Sequence, residues 1–308
     1  MAIVIIRQDS KIEEWKKALS SFAPEVPVYS YLESHPKAQI TMALVWKHPK
    51  GSLLQYPNLA CIASSGAGVD FIWEDEIPKN IPVTRVIDPM LSQDMSSFIL
   101  ALIYNHLKGL NTYKFNELQQ QWKPIQQLRK TAVKVGIMGM GQLGTHTALR
   151  LYQAGFSVQG WATSEKNIAE IKTFKGKAEL SSFLATSTIL VCLLPLTSAT
   201  KGILNEALFS MLPKGAFIIN VARGGHLVDQ DLLSAINSGH LSGAALDVFN
   251  QEPLEEGHPF WNHPKIHITP HIASVSDTAS VVPQIIKNYN KLRVKKPLEN
   301  VVSVKKEY

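Results

Sequence analysis

One stretch of the chain decides the fold, and it reads Val133-Lys134-Val135-Gly136-Ile137-Met138-Gly139-Met140-Gly141-Gln142-Leu143-Gly144. Its first half is a short apolar run, which is typical of a buried strand. Its second half has three glycines in the spacing G-x-G-x-x-G, and helical periodicity follows from Gln142 to Ala154. A strand, a glycine-rich turn and a helix in this order predict the first unit of a dinucleotide-binding domain.

Each glycine of this loop has a physical role in such a unit. The first permits the tight turn, the second lets a pyrophosphate approach bare backbone, and the third lets the helix pack closely on the strand. The amides at the helix start present the positive end of the helix dipole to the phosphates. The expected cofactor contacts are therefore Gly139, Met140, Gly141, Gln142, Leu143 and Gly144.

Strand-like and helix-like segments alternate on both sides of this stretch. We predict strands at residues 3–6, 42–46, 59–64, 133–138, 156–161, 189–194, 216–221, 243–247 and 266–269. Helices are predicted at residues 11–22, 92–110, 142–154, 206–212, 230–238 and 276–292, with Asn205 and Asp229 as N-caps. Pro283 predicts a kink or a helix start close to it, and residues 111–130 are interpreted as a link and an arm.

This alternation predicts an α/β fold with parallel sheets and helices on their faces. We expect two Rossmann-like doubly wound parallel-sheet domains with an interdomain cleft.

Composition narrows the class of protein. The 308 residues carry a formal net charge of +6, and no apolar run approaches the length of about 18 residues that a membrane span requires. The N-terminal apolar run is too short for a signal peptide, and no positively charged segment precedes it. Cys61 and Cys192 lie in apolar runs, so we expect buried free thiols and a cytoplasmic protein. The scattered lysines predict no nucleic-acid partner, and no cluster has metal-ligand spacing.

Three unusual polar residues follow the carboxyl ends of predicted strands. They lie in the segments Asn220-Val221-Ala222-Arg223-Gly224, Leu246-Asp247-Val248-Phe249-Asn250-Gln251-Glu252-Pro253 and Thr269-Pro270-His271-Ile272-Ala273. Open α/β sheets bind their ligands at this edge. Arg223, Glu252 and His271 would supply a clamp for a carboxylate or carbonyl, an orienting anion and a proton donor.

The second strand of the dinucleotide unit ends as Gly160-Trp161-Ala162-Thr163-Ser164-Glu165-Lys166. An acidic residue at this end would hold the ribose of NAD, but here the position is neutral. Hydroxyls and a lysine would accept a 2′-phosphate. We therefore expect NADP(H) as the preferred cofactor through Thr163, Ser164 and Lys166, with NAD(H) possible because Glu165 is close.

Together these segments resemble the D-isomer-specific 2-hydroxyacid dehydrogenase family, and within it the glyoxylate/hydroxypyruvate reductase A branch. The further matching pieces are Gly66-Ala67-Gly68-Val69-Asp70, Leu194-Pro195-Leu196-Thr197, Ala43-Leu44-Val45-Trp46 and Gly160-Trp161. The resemblance runs over nearly the whole chain. It implies that residues 1–98 plus 275–308 form a flavodoxin-like substrate domain, and residues 99–274 an inserted NAD(P)-binding Rossmann domain. Two positions depart from the branch pattern, since Thr163 and Asp277 stand where it has arginine.

The resemblance implies a role for each matching residue. His271 would protonate the ketone, Glu252 would hold the far imidazole nitrogen, and Arg223 would bind the substrate's carboxylate and carbonyl side. Backbone amides of Ala67 and Gly68 would hold the carboxylate. Trp46 fits either a wall of the substrate pocket or the core. The remaining cofactor contacts would be Leu194, Pro195, Leu196, Thr197, Val221, Ala222 and Asp247, although Asp247 could instead cap a neighbouring turn.

The resemblance also implies an activity and an assembly. The expected activity is reduction of small 2-keto acids, glyoxylate to glycolate and hydroxypyruvate to D-glycerate, in a homodimer without a membrane partner. Two alternatives stay open. One is a dehydrogenase for a bulkier D-2-hydroxy acid or phosphoglycerate, and the other is a non-catalytic protein that senses the dinucleotide through the same fold.

Overall fold

A computed structural model describes residues 1–72, 80–303 and 307–308. They form two compact units, one of Met1–Leu91 with Val275–Tyr308 and one of Ser92–Ser274. We call them the terminal unit and the central unit. Within the described residues, no helix is long and apolar enough to cross a membrane.

The strands and helices follow one another in regular alternation. In chain order they are β1 (Ala2–Arg7), α1 (Ile12–Phe22), β2 (Val28–Ser30), β3 (Ile40–Trp46), β4 (Cys61–Ser64), β5 (Val83–Thr84), α2 (Pro89–Lys108), α3 (Leu110–Leu118), β6 (Lys134–Met138), α4 (Gln142–Gln153), β7 (Ser157–Ala162), β8 (Lys172–Lys175), α5 (Gly176–Leu184), β9 (Ile189–Cys192), α6 (Glu206–Ser210), β10 (Ala216–Asn220), α7 (Asp229–Asn237), β11 (Leu241–Leu246), β12 (Ile266–Ile268) and α8 (Thr278–Arg293).

Each unit is built on a parallel sheet. The terminal unit has the strand order β2-β1-β3-β4-β5, and the central unit has the order β12-β11-β10-β9-β6-β7-β8. The predicted α/β class, with two parallel-sheet domains, is therefore confirmed. In the central sheet β6 lies between β7 and β9, so the strand order reverses there. Doubly wound sheets bind ligands in the crevice at such a reversal, beyond the carboxyl ends of the strands.

Both faces of the central sheet are covered by apolar side chains. On one face Val135 and Ile219 pack with Ile99 of α2. On the other face Leu190 and Ile218 join a second cluster that includes α5, α6 and α7. Because both faces are buried, the central strands are continuous apolar runs, as β10 shows with all five residues buried. The terminal sheet has its own cluster around Val4.

Most predicted elements are confirmed, and two details were wrong. The segment predicted as a link contains α3, because Gly109 takes a left-handed conformation with φ 65° and lets a second helix start directly after α2. Asp229 is the first helical residue of α7, not its N-cap, and its carboxylate accepts a hydrogen bond from Asn250. Of the two alternatives for Pro283, a helix start at the proline does not apply, because Pro283 lies inside α8. Burial of neighbours such as Val282 outweighs one missing hydrogen bond there. Asn205 does cap α6, accepting from the amide of Leu208.

Candidate active site

The glycine loop follows β6, and two of its glycines are required by close packing. Gly139 has φ 103°, a conformation that side chains disfavour. A Cβ at Gly144 would collide with the carbonyl oxygen of Gly139. The side chain of Met140 is buried in the core, against Gly160, so Met140 can offer a ligand only its backbone.

Gly141 is different, because a Cβ there would meet no protein atom within 4 Å. It precedes α4, whose N-terminus has no side-chain cap. The amides of the first helical turn have no partner inside a helix and suit an anion. An open backbone position beside uncapped amides fits the pyrophosphate of a dinucleotide.

The end of β7 carries no carboxylate. Ala162 is buried, and Thr163 and Ser164 are exposed. The acidic residue that follows, Glu165, is paired with Lys175 through a 3.0 Å contact of Oε2 with Nζ. Lys175 itself is the register partner of Ala162 in β8. A lysine therefore lies directly beside the strand end where a ribose-binding acid would stand.

The loop after β10 carries Arg223 and is fixed from several sides. Asn220 accepts from the amide of Ala222 and donates to the carbonyl of Arg223. Arg223 Nη1 donates to the carbonyl of Ala222 at 2.7 Å. Gly225 packs under Leu196 of the loop after β9. The predicted cofactor-lining residues Val221 and Ala222 are both buried.

Gly224 places this loop beside the segment that carries Glu252. A Cβ at Gly224 would collide with the backbone of Phe249 and Asn250. Glu252 Oε1 accepts from the amide of Phe249 at 3.1 Å. The absence of a side chain at one position thus lets the Arg223 loop and the Glu252 loop touch.

Glu252 and His271 form a hydrogen-bonded pair. His271 Nδ1 lies 2.8 Å from Glu252 Oε2, and the two side chains are 28% and 20% exposed. Both carboxylate oxygens of Glu252 therefore have partners, one in the backbone and one in the imidazole. This arrangement fixes the orientation of the ring and turns Nε2 away from the carboxylate.

Asp247 holds the loop on which His271 lies. Its carboxylate is buried and accepts from Thr269 Oγ1 at 2.6 Å and from the amides of Ile272 and Ala273 at 2.9 and 2.8 Å. The backbone carbonyl of Asp247 also accepts from the amide of His271 at 2.8 Å. The observed partners are those of a residue that caps a neighbouring turn.

The residues predicted to bind the substrate's carboxylate, Ala67 and Gly68, lie in the terminal unit on the loop after β4, and Trp46 is the last residue of β3. Ser64 Oγ donates to the carbonyl of Gly68 at 2.8 Å and shapes the turn around Ala67. The indole of Trp46 packs against Gly66, where a Cβ would stand 2.7 Å from Cζ3. Its ring also meets Phe71 edge-on, with centroids 5.2 Å apart. Trp46 therefore supports this loop directly.

The central unit thus brings His271, Glu252 and the Arg223 loop together at one edge of its sheet. Sequence reasoning did not assign Asn220 or the anchoring contacts of Asp247. The signal for Asn220 was present, because a buried polar residue that ends an apolar strand needs partners.

Comparison with known proteins identifies the family. A sequence model described as "D-isomer specific 2-hydroxyacid dehydrogenase, NAD binding domain" matches residues 100–273. The glyoxylate/hydroxypyruvate reductase A of Serratia proteamaculans is 36% identical over 310 residues, which cover 99% of each chain. The chain belongs to the D-isomer-specific 2-hydroxyacid dehydrogenase family. The predicted family and enzyme class are confirmed, and the family's cofactor is a nicotinamide dinucleotide.

Solved structures of this family agree along the whole chain. One is a D-isomer specific 2-hydroxyacid dehydrogenase from Xanthobacter autotrophicus Py2 in complex with NADPH and MES. It has a TM-score of 0.93 at 35% identity and covers 100% of this chain and 99% of its own. Another is the NADPH-dependent glyoxylate/hydroxypyruvate reductase from Sinorhizobium meliloti in complex with NADP and sulfate, with a TM-score of 0.90 at 33% identity and the same coverage.

Replacing Gly141 with alanine should weaken dinucleotide binding while the fold stays stable. The added Cβ has open space in the protein but would enter the position of a pyrophosphate. We expect the Kd for NADPH, titrated by nucleotide fluorescence, to rise by about tenfold or more, with an unchanged melting temperature for the free protein.

Gly144→Ala is the matched control. Its Cβ would collide with the backbone of Gly139, so we expect a lower melting temperature. Wild-type NADPH affinity in Gly141→Ala would show that the loop does not hold the pyrophosphate.

Proposed function

We propose that this protein reduces small 2-keto acids, glyoxylate to glycolate and hydroxypyruvate to D-glycerate, with His271 as the general acid. The observation that carries the proposal is the 2.8 Å hydrogen bond between His271 Nδ1 and Glu252 Oε2. It commits one ring nitrogen to the carboxylate and leaves Nε2 as the atom that exchanges a proton with substrate.

The chemistry is the transfer of one hydride and one proton to the ketone, which together amount to two electrons and two protons. When bound, the nicotinamide supplies a hydride. His271 gives the Nε2 proton to the ketone oxygen as C2 gains hydrogen, so that the C=O double bond becomes a C–OH bond. Glu252 stabilises the charged ring before donation and keeps it oriented. In the reverse direction His271 accepts the hydroxyl proton.

The substrate class follows from the groups proposed to bind it. The guanidinium of Arg223 suits the planar oxygens of a carboxylate and its neighbouring carbonyl. Backbone amides of Ala67 and Gly68 would bind carboxylate oxygens on a loop without bulky side chains. Trp46 would favour short keto acids. The Serratia and Sinorhizobium relatives are glyoxylate/hydroxypyruvate reductases, which supports glyoxylate and hydroxypyruvate as substrates.

We propose NADP(H) as the preferred cofactor, with NAD(H) as a possible second one. Ala162 at the end of β7 offers no carboxylate to a ribose. The carboxylate of Glu165 is paired with Lys175, which reduces its repulsion of a phosphate. The groups proposed to meet the 2′-phosphate are Thr163, Ser164 and Lys166. The Xanthobacter and Sinorhizobium structures hold NADPH and NADP, which supports this preference.

Reduction of glyoxylate and hydroxypyruvate by NADPH and by NADH, measured side by side, tests this function. We expect kcat/KM to be higher with NADPH by about tenfold or more, because the neutral strand end tolerates a phosphate. It should also be higher for the two small acids than for phenylpyruvate. Faster turnover of phenylpyruvate, or of phosphoglycerate in the oxidative direction, would favour the bulkier substrates instead.

Variants of the reactive residues separate catalysis from cofactor binding. His271→Ala and Arg223→Ala should lose most turnover and keep the wild-type Kd for NADPH, whereas His263→Ala on the surface should resemble wild type. Tight NADPH binding without reduction of any keto acid by the wild-type protein would contradict an enzyme and favour a dinucleotide sensor.

We further propose that the segment from Leu110 to Leu128 packs against a second copy of the chain. Single exposed apolar residues are ordinary, but this segment exposes a group of them: Leu110 56%, Phe115 45%, Leu118 69%, Trp122 101% and Leu128 42%. Several large exposed apolar residues within one short segment are typical of an interaction site. The family resemblance indicates a homodimer as the occupant.

Sedimentation velocity tests this assembly. We expect the wild type to be a dimer and Trp122→Ala to shift towards monomer. The indole of Trp122 is fully exposed in the single chain, and the substitution would remove the apolar surface that it buries against the partner. Trp261→Ala, which removes a half-exposed indole elsewhere, should stay dimeric. A monomeric wild type would refute the proposal.

A further inference from the structure

His226 is fully buried in the central unit, and none of the roles proposed above uses it. It follows Gly225 on the loop that carries Arg223. Its ring lies between two backbone carbonyls, with Nδ1 3.0 Å from the oxygen of Arg223 and Nε2 3.2 Å from the oxygen of Pro195. The ring thus joins the loop of the proposed substrate arginine to the loop proposed to line the cofactor site.

Both of these partners are hydrogen-bond acceptors. A carbonyl oxygen cannot donate, and a neutral imidazole has one N–H and one lone pair. In either neutral tautomer a lone pair would therefore face a carbonyl oxygen inside the protein, which is repulsive and leaves a buried acceptor unsatisfied. Both contacts are attractive only when both ring nitrogens carry a proton.

The two carbonyls are themselves held in place by other donors. Asn220 Nδ2 donates to the Arg223 carbonyl at 3.0 Å. Thr200 Oγ1 donates to the Pro195 carbonyl at 2.6 Å. The loops are also joined by backbone hydrogen bonds from Gly202 to Gly225 and from Leu204 to His226, both 2.8 Å long. Because each carbonyl acceptor is anchored within its own loop, the imidazole adds a side-chain link between the arginine loop and the proline end of the cofactor-lining loop.

The surroundings of the ring tolerate a positive charge. Burial disfavours the charge and lowers the pKa of His226, but the Cys192 sulfur and the carbonyls of Pro195 and Arg223 outweigh burial, so the pKa is raised above its ordinary value. Among these neighbours Cys192, at the end of β9, is the titratable one, and Arg223 contributes its backbone oxygen.

We propose that His226 is a positioning residue that donates both ring N–H groups, one to Arg223 and one to Pro195, and so couples the substrate-binding loop to the cofactor-lining loop. The coupling rests on the proposed function, since it assumes that Arg223 binds the keto acid. The doubly protonated ring does not rest on it.

Nitrogen-15 NMR of the histidine rings in the whole protein with NADPH tests the protonation state directly. We expect both nitrogens of His226 to remain protonated at pH 8, above the ordinary histidine pKa of about 6.5. Assignment comes from the signals that disappear in His226→Phe, or in His226→Gln if the phenylalanine variant does not fold. A lone-pair nitrogen at pH 8 would overturn the proposal.

Two amide variants test the coupling separately at each end. The amide nitrogen of asparagine can replace Nδ1, so His226→Asn keeps the bond to Arg223 and loses the bond to Pro195. The amide nitrogen of glutamine can replace Nε2, so His226→Gln does the opposite. Losing one such bond should change affinity by about tenfold. We expect His226→Asn to raise the KM for NADPH and His226→Gln to raise the KM for glyoxylate.

His240 provides the matched control, because its ring bonds a single carbonyl, that of Phe209, at 2.7 Å. His240→Asn and His240→Gln should leave both KM values unchanged. Equal effects of the two His226 variants on both KM values would indicate a merely structural residue. If the wild type reduces no keto acid, the NMR result and the Kd for NADPH still test His226, which separates its failure from failure of the proposed function.

Discussion

The buried carboxylate of Asp247 is the constraint on which the reactive edge of the central unit depends. Its two oxygens accept three hydrogen bonds from the segment that surrounds His271. Hydrogen bonds to a charged group contribute about 1.5–3 kcal/mol each, whereas a left-handed residue costs about 1–2 kcal/mol. Three such bonds therefore outweigh the φ of 54° that His271 adopts, and the imidazole is directed towards Glu252.

The order of the central sheet explains why these groups meet. Parallel strands deliver their carboxyl ends to one edge, and β9, β10, β11 and β12 are neighbours there. Small residues then allow the loops to approach, as Gly224 does against the backbone of Phe249. Polar side chains help to fix the spacing of the loops, with Asn220 at the end of β10 and His226 on the Arg223 loop. The strand order thus brings the loops to one edge, the small residues let them touch, and the hydrogen bonds hold them in place.

Much of this organisation could be predicted from the sequence, and the misses have physical causes. The G-x-G-x-x-G loop and the strand-end residues Arg223, Glu252 and His271 have local signatures. The pair of β8 and α5 was not predicted, because β8 is a short edge strand without a buried run. The contacts of Asp247 and His226 join segments far apart in the chain, so periodicity and spacing cannot reveal them.

Asp247→Asn tests most directly whether Asp247 anchors the loop of His271. An asparagine must turn its NH₂ group towards at least one of the three donors, which replaces an attraction by a donor–donor contact. We predict that kcat for glyoxylate falls by about a hundredfold, while the Kd for NADPH stays within about twofold of wild type. Asp231→Asn, on the surface of α7, should change neither value. A weakened Kd for NADPH with kcat retained would contradict the anchoring role and make Asp247 a cofactor contact.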